Sequence, residues 1–270
     1  MSALTMKFIN EVNPILKRYI RHYWMTSGKL ETEETTILLP MDHIDLIIPI
    51  RGKFYYSLQD SISDADGIVF HGMRRQSVAI KPDKSVVAYG ITFEPWGFYP
   101  FIKKPLFQYI DKVVALSTQD DDLSLSIRAC FKKDNDMDCN IKNLEEILID
   151  QLIDTPQYEK DLGIIKSFIG VEKTTIKSFC DRFNINRKRL ERIFNKYVGM
   201  SPKDFLKVKQ FEEASRNVMF NECARLTDIA LEEDYYDQAH FTKDFRQYTD
   251  YSPTAFKKNK PALKSKFKFD

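Results

Sequence analysis

The spacing of hydrophobic residues changes near the middle of the chain. Between residues 34 and 93 they fall in short runs rich in β-branched and aromatic side chains, separated by turn signals such as Arg51-Gly52 and Lys81-Pro82-Asp83. Such runs are typical of β-strands. We predict six strands, at Glu34–Pro40, Ile44–Ile50, Lys53–Leu58, Gly67–Gly72, Gln76–Ile80 and Val86–Phe93. This number and spacing of strands predict a small barrel or sandwich.

Helical spacing takes over in the next part of the chain. Five apolar residues recur at helical spacing: Ile141, Leu144, Ile147, Leu148 and Leu152. This stripe predicts an amphipathic helix whose apolar face either forms a dimer or packs on the strand domain. The segment Asp154–Gln157 predicts a linker, because proline ends a helix and the charge balance changes there. We therefore divide the chain into domains at residues 1–157 and 158–270.

No run beyond residue 160 has a strand pattern, and the apolar spacing predicts an all-helical domain. The expected helices are Leu162–Ile169, Thr175–Phe183, Arg187–Tyr197, Pro202–Met219, Leu226–Glu233, Gln238–Gln247 and a short one ending near Lys258. Residues suited to capping a helix amino terminus stand at or near the predicted starts. They are Thr174, Asn186, Ser201, Thr227 and Asp237.

Two stretches of this helical half repeat one pattern. Asn186–Pro202 and Asp237–Pro253 both contain a large apolar residue, a base two positions later, a phenylalanine, an aromatic residue and Ser-Pro. The matching positions are 51 residues apart: Leu190, Arg192, Phe194, Tyr197, Ser201 and Pro202 in the first, and Phe241, Lys243, Phe245, Tyr248, Ser252 and Pro253 in the second. The repeat predicts two copies of one helix–turn–helix unit, each with a small core. The expected core residues are Phe179, Phe183, Ile185, Leu190, Ile193 and Phe194 in the first unit and Ile229, Ala230, Tyr235, Phe241 and Phe245 in the second.

Charge divides the chain at about the same place. The formal net charge is +2. Residues 1–159 hold 18 basic and 23 acidic side chains and carry −5, whereas residues 160–270 hold 23 and 16 and carry +7. A basic half behind a mildly acidic one favours a polyanionic partner for the basic half.

Location and redox state follow from simple absences in the sequence. No apolar run approaches the roughly 18 residues that span a bilayer, and the amino terminus lacks the pattern of a signal peptide. We therefore expect a cytoplasmic protein without membrane contact. The four cysteines have no metal-type or redox spacing and are expected to be reduced thiols. They are Cys130, Cys139, Cys180 and Cys223.

The strand domain offers few candidates for catalysis. His43, His71 and Glu94 are the obvious ones, but a cupin metal site requires a His-x-His pair followed closely by a carboxylate. We therefore predict no catalytic residue, no metal and no cofactor, and the chain is not expected to be an enzyme. Five aromatic residues either line a pocket for a small ligand or belong to the core. They are Trp24, Tyr55, Tyr56, Tyr89 and Trp96.

The outer faces of the two repeated helices carry side chains suited to DNA. Arginine and lysine bridge guanine O6 and N7 or neutralise phosphates, and glutamine suits adenine N6 and N7. A single basic run would more simply be a solvated helix face, but two such faces on matched repeats favour DNA. The candidate residues are Arg187, Lys188, Arg189, Arg192 and Lys196 in the first unit and Gln238, His240, Lys243 and Arg246 in the second.

From about Ile164 to Lys258 the chain resembles the double helix-turn-helix DNA-binding domain of the AraC/XylS family of bacterial transcription regulators. The residues that match the family signature are Ile229-Ala230, Tyr235, Asp237-Gln238, Phe241, Phe245 and Ser252-Pro253, with Leu190, Arg192, Phe194 and Gly199–Pro202 in the first unit. The amino half more loosely resembles the cupin-like sensor domain of some members. Asn184 and Asp234 stand where the family has glycine, and Gln210 stands where it has arginine.

The resemblance implies an α+β protein. A small amino-terminal β-barrel or cupin-like domain with helices would precede an all-α domain of two helix-turn-helix units joined by the helix Pro202–Met219. It also implies a sequence-specific regulator of transcription that binds double-stranded DNA, with activation favoured over repression. RNA polymerase, an unidentified small-molecule effector and a second copy of the chain are the other partners it admits.

The resemblance also assigns roles to the candidate residues. Its two recognition helices would enter successive major-groove segments. Lys188, Arg192, Gln238, His240 and Lys243 would then read bases, while Arg187, Arg189, Lys196 and Arg246 would position the DNA backbone. Two alternatives stay open: a cupin-type isomerase or oxygenase with a DNA-binding tail, and a protein-interaction module that does not touch DNA.

Overall fold

The computed structural model describes residues 4–31, 35–58, 61–63, 67–131, 136–152, 155–171, 174–221, 224–249, 251–258 and 267–268. Cys223 and Asp154, which the sequence singled out, lie outside these ranges. Strands fill most of the amino-terminal half and helices fill the carboxyl-terminal half. The chain is therefore an α+β protein, as its sequence predicts.

The strands form two sheets. Their bounds are β1 Thr5–Ile9, β2 Ile20–Lys29, β3 Thr36–Leu38, β4 Ile44–Arg51, β5 Phe54–Leu58, β6 Ser61–Ser63, β7 Val69–His71, β8 Val78–Pro82, β9 Ser85–Phe93, β10 Val113–Ala115 and β11 Phe267–Lys268. One sheet has the order β1-β2-β9-β4-β7-β10 and the other β11-β3-β8-β5-β6. All six predicted strands are present, and β1, β2, β6, β10 and β11 are additional ones. β11 pairs with β3 and lies beyond residue 160, where the sequence predicts no strand, because a strand of two residues has no pattern to detect.

Most neighbouring strands are antiparallel, and the pairing fixes where large side chains fit. Trp24 of β2 lies opposite Gly90 of β9. A Cβ atom at Gly90 would stand 2.0 Å from the indole ring of Trp24, so that position requires glycine. Trp24 and Val86 then pack with Leu38 and Tyr56 of the other sheet in a buried core between the sheets. The two sheets thus form the small sandwich that the spacing of the strands predicts.

The helices begin and end close to the predicted positions. Their bounds are α1 Tyr99–Ile102, α2 Asp121–Cys130, α3 Met137–Gln151, α4 Pro156–Ile169, α5 Ile176–Phe183, α6 Arg187–Tyr197, α7 Pro202–Phe220, α8 Leu226–Glu232, α9 Gln238–Thr249 and α10 Pro253–Lys258. Two of the caps differ from expectation. Thr175 rather than Thr174 caps α5 by accepting the N–H of Ser178, and Thr227 lies inside α8 rather than before it.

The apolar stripe of α3 is buried inside the chain itself. Ile141, Leu144 and Leu148 belong to one large core with residues of the six-stranded sheet, which favours packing over a dimer face. The predicted linker is shorter than expected, because Pro156 occupies the first turn of α4 and Thr155 caps that helix. Proline suits this position, where its missing N–H leaves no bond unmade. Pro156 therefore starts a helix, and the boundary at residue 157 stays a prediction.

The large core continues from the amino half into the first helical unit. Tyr158 of α4 stacks on Tyr99 with ring centroids 5.6 Å apart, and its hydroxyl donates to the carbonyl of Trp96 at 3.1 Å. Near the end of α6, a Cβ atom at Gly199 would stand 3.0 Å from the carbonyl oxygen of Leu106. The first unit is thus packed directly against the amino half.

The second unit reaches the amino half by a different set of contacts. Leu39, next to β3, is buried in the same cluster as Phe211 of α7 and Phe245 of α9. The hydroxyl of Ser77 donates to the carbonyl of Tyr248. In α7, Glu212 accepts the backbone N–H of Asp42 at 3.3 Å. Each unit therefore has its own attachment to the strand domain.

Candidate nucleic-acid interface

The first helix-turn-helix unit consists of α5 and α6. Its turn contains Asn184 with a φ of 49°, a left-handed conformation that asparagine tolerates better than most residues. Asn186 then caps α6 by accepting the N–H of Lys188 at 2.8 Å. Phe179 and Ile185 are buried between the two helices with Phe194. The sequence predicts this core and this turn.

The sequence predicts Phe183 in that core, but the structure places its side chain outside it. Its side chain is 43% exposed and stacks on Phe179 with ring centroids 4.4 Å apart. As the last residue of α5 it faces the surface, because the chain turns away at Asn184. Phe179 and Phe168 of α4 fill the interior in its place, in edge-to-face contact at 4.9 Å.

The second unit repeats this geometry with α8 and α9. Asp234 has a φ of 58°, and Tyr235 is buried behind the turn. The carboxylate of Asp237 accepts the N–H of His240 at 2.7 Å, which satisfies a free donor at the start of α9. Ile229 and Phe241 are buried in the core of this unit, as predicted.

Helix α7 joins the two units without the arginine that the resemblance leads one to expect. The side-chain amide of Gln210 donates to the carbonyl of Glu233 at 2.6 Å. Two helical turns further along α7, the amide of Asn217 donates to a carboxylate oxygen of Glu233 at 2.8 Å. Two amide hydrogen bonds thus connect α7 to the turn of the second unit.

The candidate side chains on α6 differ in whether they already form an ion pair within the protein. Lys188 and Arg192 are exposed and form no ion pair within the described ranges. Arg187 pairs with Glu191 at 3.0 Å, and Arg189 lies 3.6 Å from Asp161. The Arg187–Glu191 pair is exposed and weak, and it would yield readily to a phosphate. Asp161 is buried, so Arg189 is held more firmly.

Lys196 points toward the amino half. Its ammonium nitrogen lies 4.7 Å from the ring centroid of Tyr197 and 5.3 Å from that of Tyr99. Burial alone would lower the pKa of Lys196, but its contacts with the two tyrosines outweigh burial and raise it. The lysine stays charged and cation–π contact holds it at the boundary between the halves.

On α9 the outer face is mixed in charge. Gln238, Lys243 and Arg246 are exposed, and His240 lies 3.5 Å from Asp244. Lys243 and Arg246 form no ion pair within the described ranges either. The helices differ in net charge: α9 holds one acidic residue for its two cations, whereas α6 holds one for five. The structure places all nine candidate residues on α6 and α9, in two groups on separate units.

The histidines of the strand domain are buried. His43 lies between Asp42 and Asp45, with closest ring-nitrogen to oxygen distances of 3.7 and 3.5 Å. His71 packs at the edge of the ring of Tyr56, and its Nδ1 lies 3.1 Å from Arg74. Among the described residues no group of three or more histidine, cysteine, aspartate or glutamate side chains has the arrangement to hold a metal ion.

The five aromatic candidates separate into core and pocket. Trp24 and Tyr89 are buried in the sandwich, and Trp96 donates its indole N–H to the carbonyl of Arg18 at 2.9 Å. Tyr55 and Tyr56 line an open pocket of about 530 Å³. Its charged lining is mainly basic, with one acidic residue: Arg51, Lys53, Arg128 and Asp83.

The described helices include none that is long and apolar enough to cross a membrane. Sequence reasoning missed one exposed side chain beside the second recognition helix, that of Tyr236, which is 91% exposed. The sequence could have shown it, because one more residue lies between Asp234 and the cap Asp237 than between Asn184 and the cap Asn186.

The geometry of residues 176–258 defines a double helix-turn-helix domain: two short helix pairs, each with a left-handed turn, joined by one long helix. Comparison with known proteins agrees, since residues 179–259 match a family described as a helix-turn-helix domain. Residues 179–259 are thus similar to this helix-turn-helix family, and the positions that resemble the AraC/XylS signature fall within or next to them. Residues 12–115 match a family described as a domain of unknown function, DUF6597.

Individual relatives are more distant. An uncharacterized HTH-type transcriptional regulator of Haemophilus influenzae is 32% identical over 84 residues, which cover 31% of this chain and 28% of that protein. The match thus spans less than a third of the relative. Among solved structures, ToxT of Vibrio cholerae has a TM-score of 0.46 at 12% identity over 90% of this chain and 98% of its own. The AraC-like transcriptional activator CuxR has a TM-score of 0.30 at 10% identity, covering 71% and 79%.

Proposed function

We propose that the protein is a sequence-specific regulator of transcription that binds double-stranded DNA through α6 and α9. One observation carries the proposal. Two helix-turn-helix units, each with a buried interior and a left-handed turn, are joined by α7 and carry exposed polar and basic side chains on their second helices. A recognition helix of this kind reads base edges in the major groove.

The side chains divide by reach and charge. Lys188, Arg192, Gln238, His240 and Lys243 are proposed to read base edges, since all five are exposed. Arg187, Arg189, Lys196 and Arg246 are proposed to position the phosphate backbone. Lys196 should contribute less than the others, because it must leave the rings of Tyr99 and Tyr197 to reach a phosphate.

The strand domain is proposed to sense a small-molecule effector. The pocket at Tyr55 and Tyr56, bordered by Arg51 and Arg128, supports an effector of acidic character. RNA polymerase and a second copy of the chain are the further partners that a regulator of this type would use.

DNA binding is tested by selecting duplexes from a random pool with the full-length protein and measuring affinity by gel shift. Replacing Arg192 with alanine is expected to cost about 1–3 kcal/mol if it reads a base. The double variant Arg192→Ala, Lys243→Ala should lose more than either single one, because the two residues lie on separate helices. Lys142→Ala removes an exposed cation from α3 and serves as the matched control.

Salt dependence distinguishes DNA binding from a protein-interaction role. Affinity should fall steeply with salt, since each neutralised phosphate releases counterions. If the wild-type chain selects no duplex, or the double variant binds as tightly as Lys142→Ala, the proposed interface is wrong.

A further inference from the structure

The turns of the two helix-turn-helix units differ in length by one residue. In the first unit, the left-handed residue Asn184 is followed by buried Ile185 and then at once by the cap Asn186. The core residue and the cap are therefore adjacent, and no side chain intervenes between them.

The second unit has an additional residue at this place. After the left-handed Asp234 comes the buried Tyr235, then Tyr236, and only then the cap Asp237. Tyr236 has no counterpart in the first unit. It enters neither the core nor the cap, so the insertion adds a side chain without changing how α9 begins.

Tyr236 is exposed to an unusual degree. Its side chain is 91% exposed, while that of Tyr235 is 4% exposed. Tyr235 packs against His240 and Phe241 with ring centroids 5.4 and 4.9 Å apart. Tyr236, the next residue, faces outward and makes no hydrogen bond or ring contact to the described parts of the chain. Nothing in the fold of the unit depends on its ring.

The position of Tyr236 favours DNA as its partner. A recognition helix enters the major groove with its amino-terminal residues at the bases, so a residue just before that helix lies beside the sugar–phosphate strand that borders the groove. Tyrosine hydroxyls are among the donors that contact DNA phosphates. The mixed charge of α9, where Asp237 and Asp244 accompany Lys243 and Arg246, leaves more of the binding to uncharged contacts.

We infer that Tyr236 is a DNA-contacting residue of the second unit, its hydroxyl donating to a phosphate oxygen and its ring covering the adjoining sugar. This inference rests on the proposed function of α9 as a recognition helix. It adds an uncharged contact to a set of candidate side chains that were chosen for their charge or for their ability to hydrogen-bond base edges.

An uncharged contact has a distinctive salt signature. A lysine or arginine that binds a phosphate releases condensed counterions, so its removal flattens the dependence of affinity on salt by about 0.9 in the logarithmic slope. A tyrosine hydroxyl releases none. Removing it should lower affinity by the same factor at every salt concentration.

The test measures fluorescence anisotropy with the full-length protein and a labelled duplex selected by the wild-type chain, at several salt concentrations. Tyr236→Phe should weaken binding about 2- to 10-fold, the value of one hydrogen bond, and Tyr236→Ala should weaken it further. Both should leave the salt slope unchanged, whereas Lys243→Ala should reduce it. Leu231→Ala, in α8, removes another strongly exposed apolar side chain, 71% exposed, and should have no effect.

The outcomes separate this inference from the function on which it rests. Wild-type binding with unchanged affinity for Tyr236→Ala, or a Phe variant equal to wild type, would overturn the contact and leave DNA binding intact. A salt slope reduced as in Lys243→Ala would overturn the uncharged role. If the wild-type chain binds no duplex, the proposed function is lost and the contact with it. Thermal unfolding should be the same for all variants, because Tyr236 and Leu231 are exposed.

Discussion

At the scale of single residues, two side chains accept a backbone conformation that glycine would adopt more easily. Asn184 and Asp234 are left-handed in the two turns, where a β-carbon is crowded against the chain. Asparagine and aspartate enter this region more readily than other residues with a β-carbon, so the turns keep the geometry that the resemblance implies. The sequence could predict this from the two residue types, since both tolerate the left-handed region.

Replacing Asn184 with alanine should lower the free energy of unfolding by about 1 kcal/mol, because alanine lacks the side chain that eases the left-handed conformation. Asn184→Gly should be close to wild type or better. Urea denaturation of the full-length protein measures both.

Asn195→Ala is the control for that comparison, because Asn195 lies inside α6, where alanine is the better helix former. Equal stability of the alanine and glycine variants at position 184 would mean that the turn has relaxed and stores no strain.

At the scale of elements, continuous apolar runs and helical stripes predict most of the structure. The sequence does not predict β2, because Arg21 and His22 interrupt its run of apolar residues. Arg21 is half-buried and pairs with Asp42 at 2.6 Å and with Glu94 at 2.9 Å. A local pattern cannot show that an arginine inside a strand will find partners 21 and 73 positions away.

The same limit applies to the candidate interface. The motif places α6 and α9 correctly, because its apolar residues fix each core. It does not show that Lys196 turns toward Tyr99, about a hundred positions earlier in the chain. Tertiary contacts decide which members of a basic run are free.

The two recognition helices should contribute unequally to affinity. Neutralising Lys188 and Arg192 together should weaken binding more than neutralising Lys243 and Arg246 together, since α6 carries a larger net positive charge than α9. Both double variants remove two cations, so equilibrium titration at one salt concentration makes a fair comparison. A larger loss for the second pair would show that α9, and not α6, supplies most of the affinity.

At the scale of the whole molecule, a group of charged side chains connects α7 to the strand domain. Glu212 accepts the N–H of Asp42, and its carboxylate also pairs with Arg216 at 3.2 Å. Burial and then the negative charge of Asp42 raise the pKa of Glu212, against the opposing effects of His43, Arg216 and Arg21. Burial would raise the pKa of Asp42 as well, but hydrogen bonds and charge from His43 and Arg21 outweigh it and lower that pKa.

A raised carboxyl pKa in the folded state means that Glu212 stabilises the fold most at acid pH. This contribution is fully present below the ordinary pKa of about 4.5 and is lost as the pH rises through the raised value. Glu212→Gln keeps an acceptor for Asp42 without the charge.

The variant Glu212→Gln should therefore unfold at a higher temperature than wild type near neutral pH, with the difference disappearing near pH 4. Thermal melts across this range test it, with exposed Glu146→Gln as control. A lower Tm for Glu212→Gln at neutral pH would mean that the ion pair with Arg216 outweighs the repulsion from Asp42.

The core shared by the strand domain and the first unit determines whether the helical half can be produced as a separate fragment. A fragment that begins at Thr155 would keep the second unit nearly whole, because, among the residues that the structure describes, its core takes just Leu39 and Ile37 from the other half. The first unit would lose the cover that Tyr99 and Leu106 give to Tyr197 and Gly199. The newly exposed surface would be apolar and would lie beside a recognition helix. The fragment should therefore aggregate and be poorly soluble under conditions where the intact chain stays in solution.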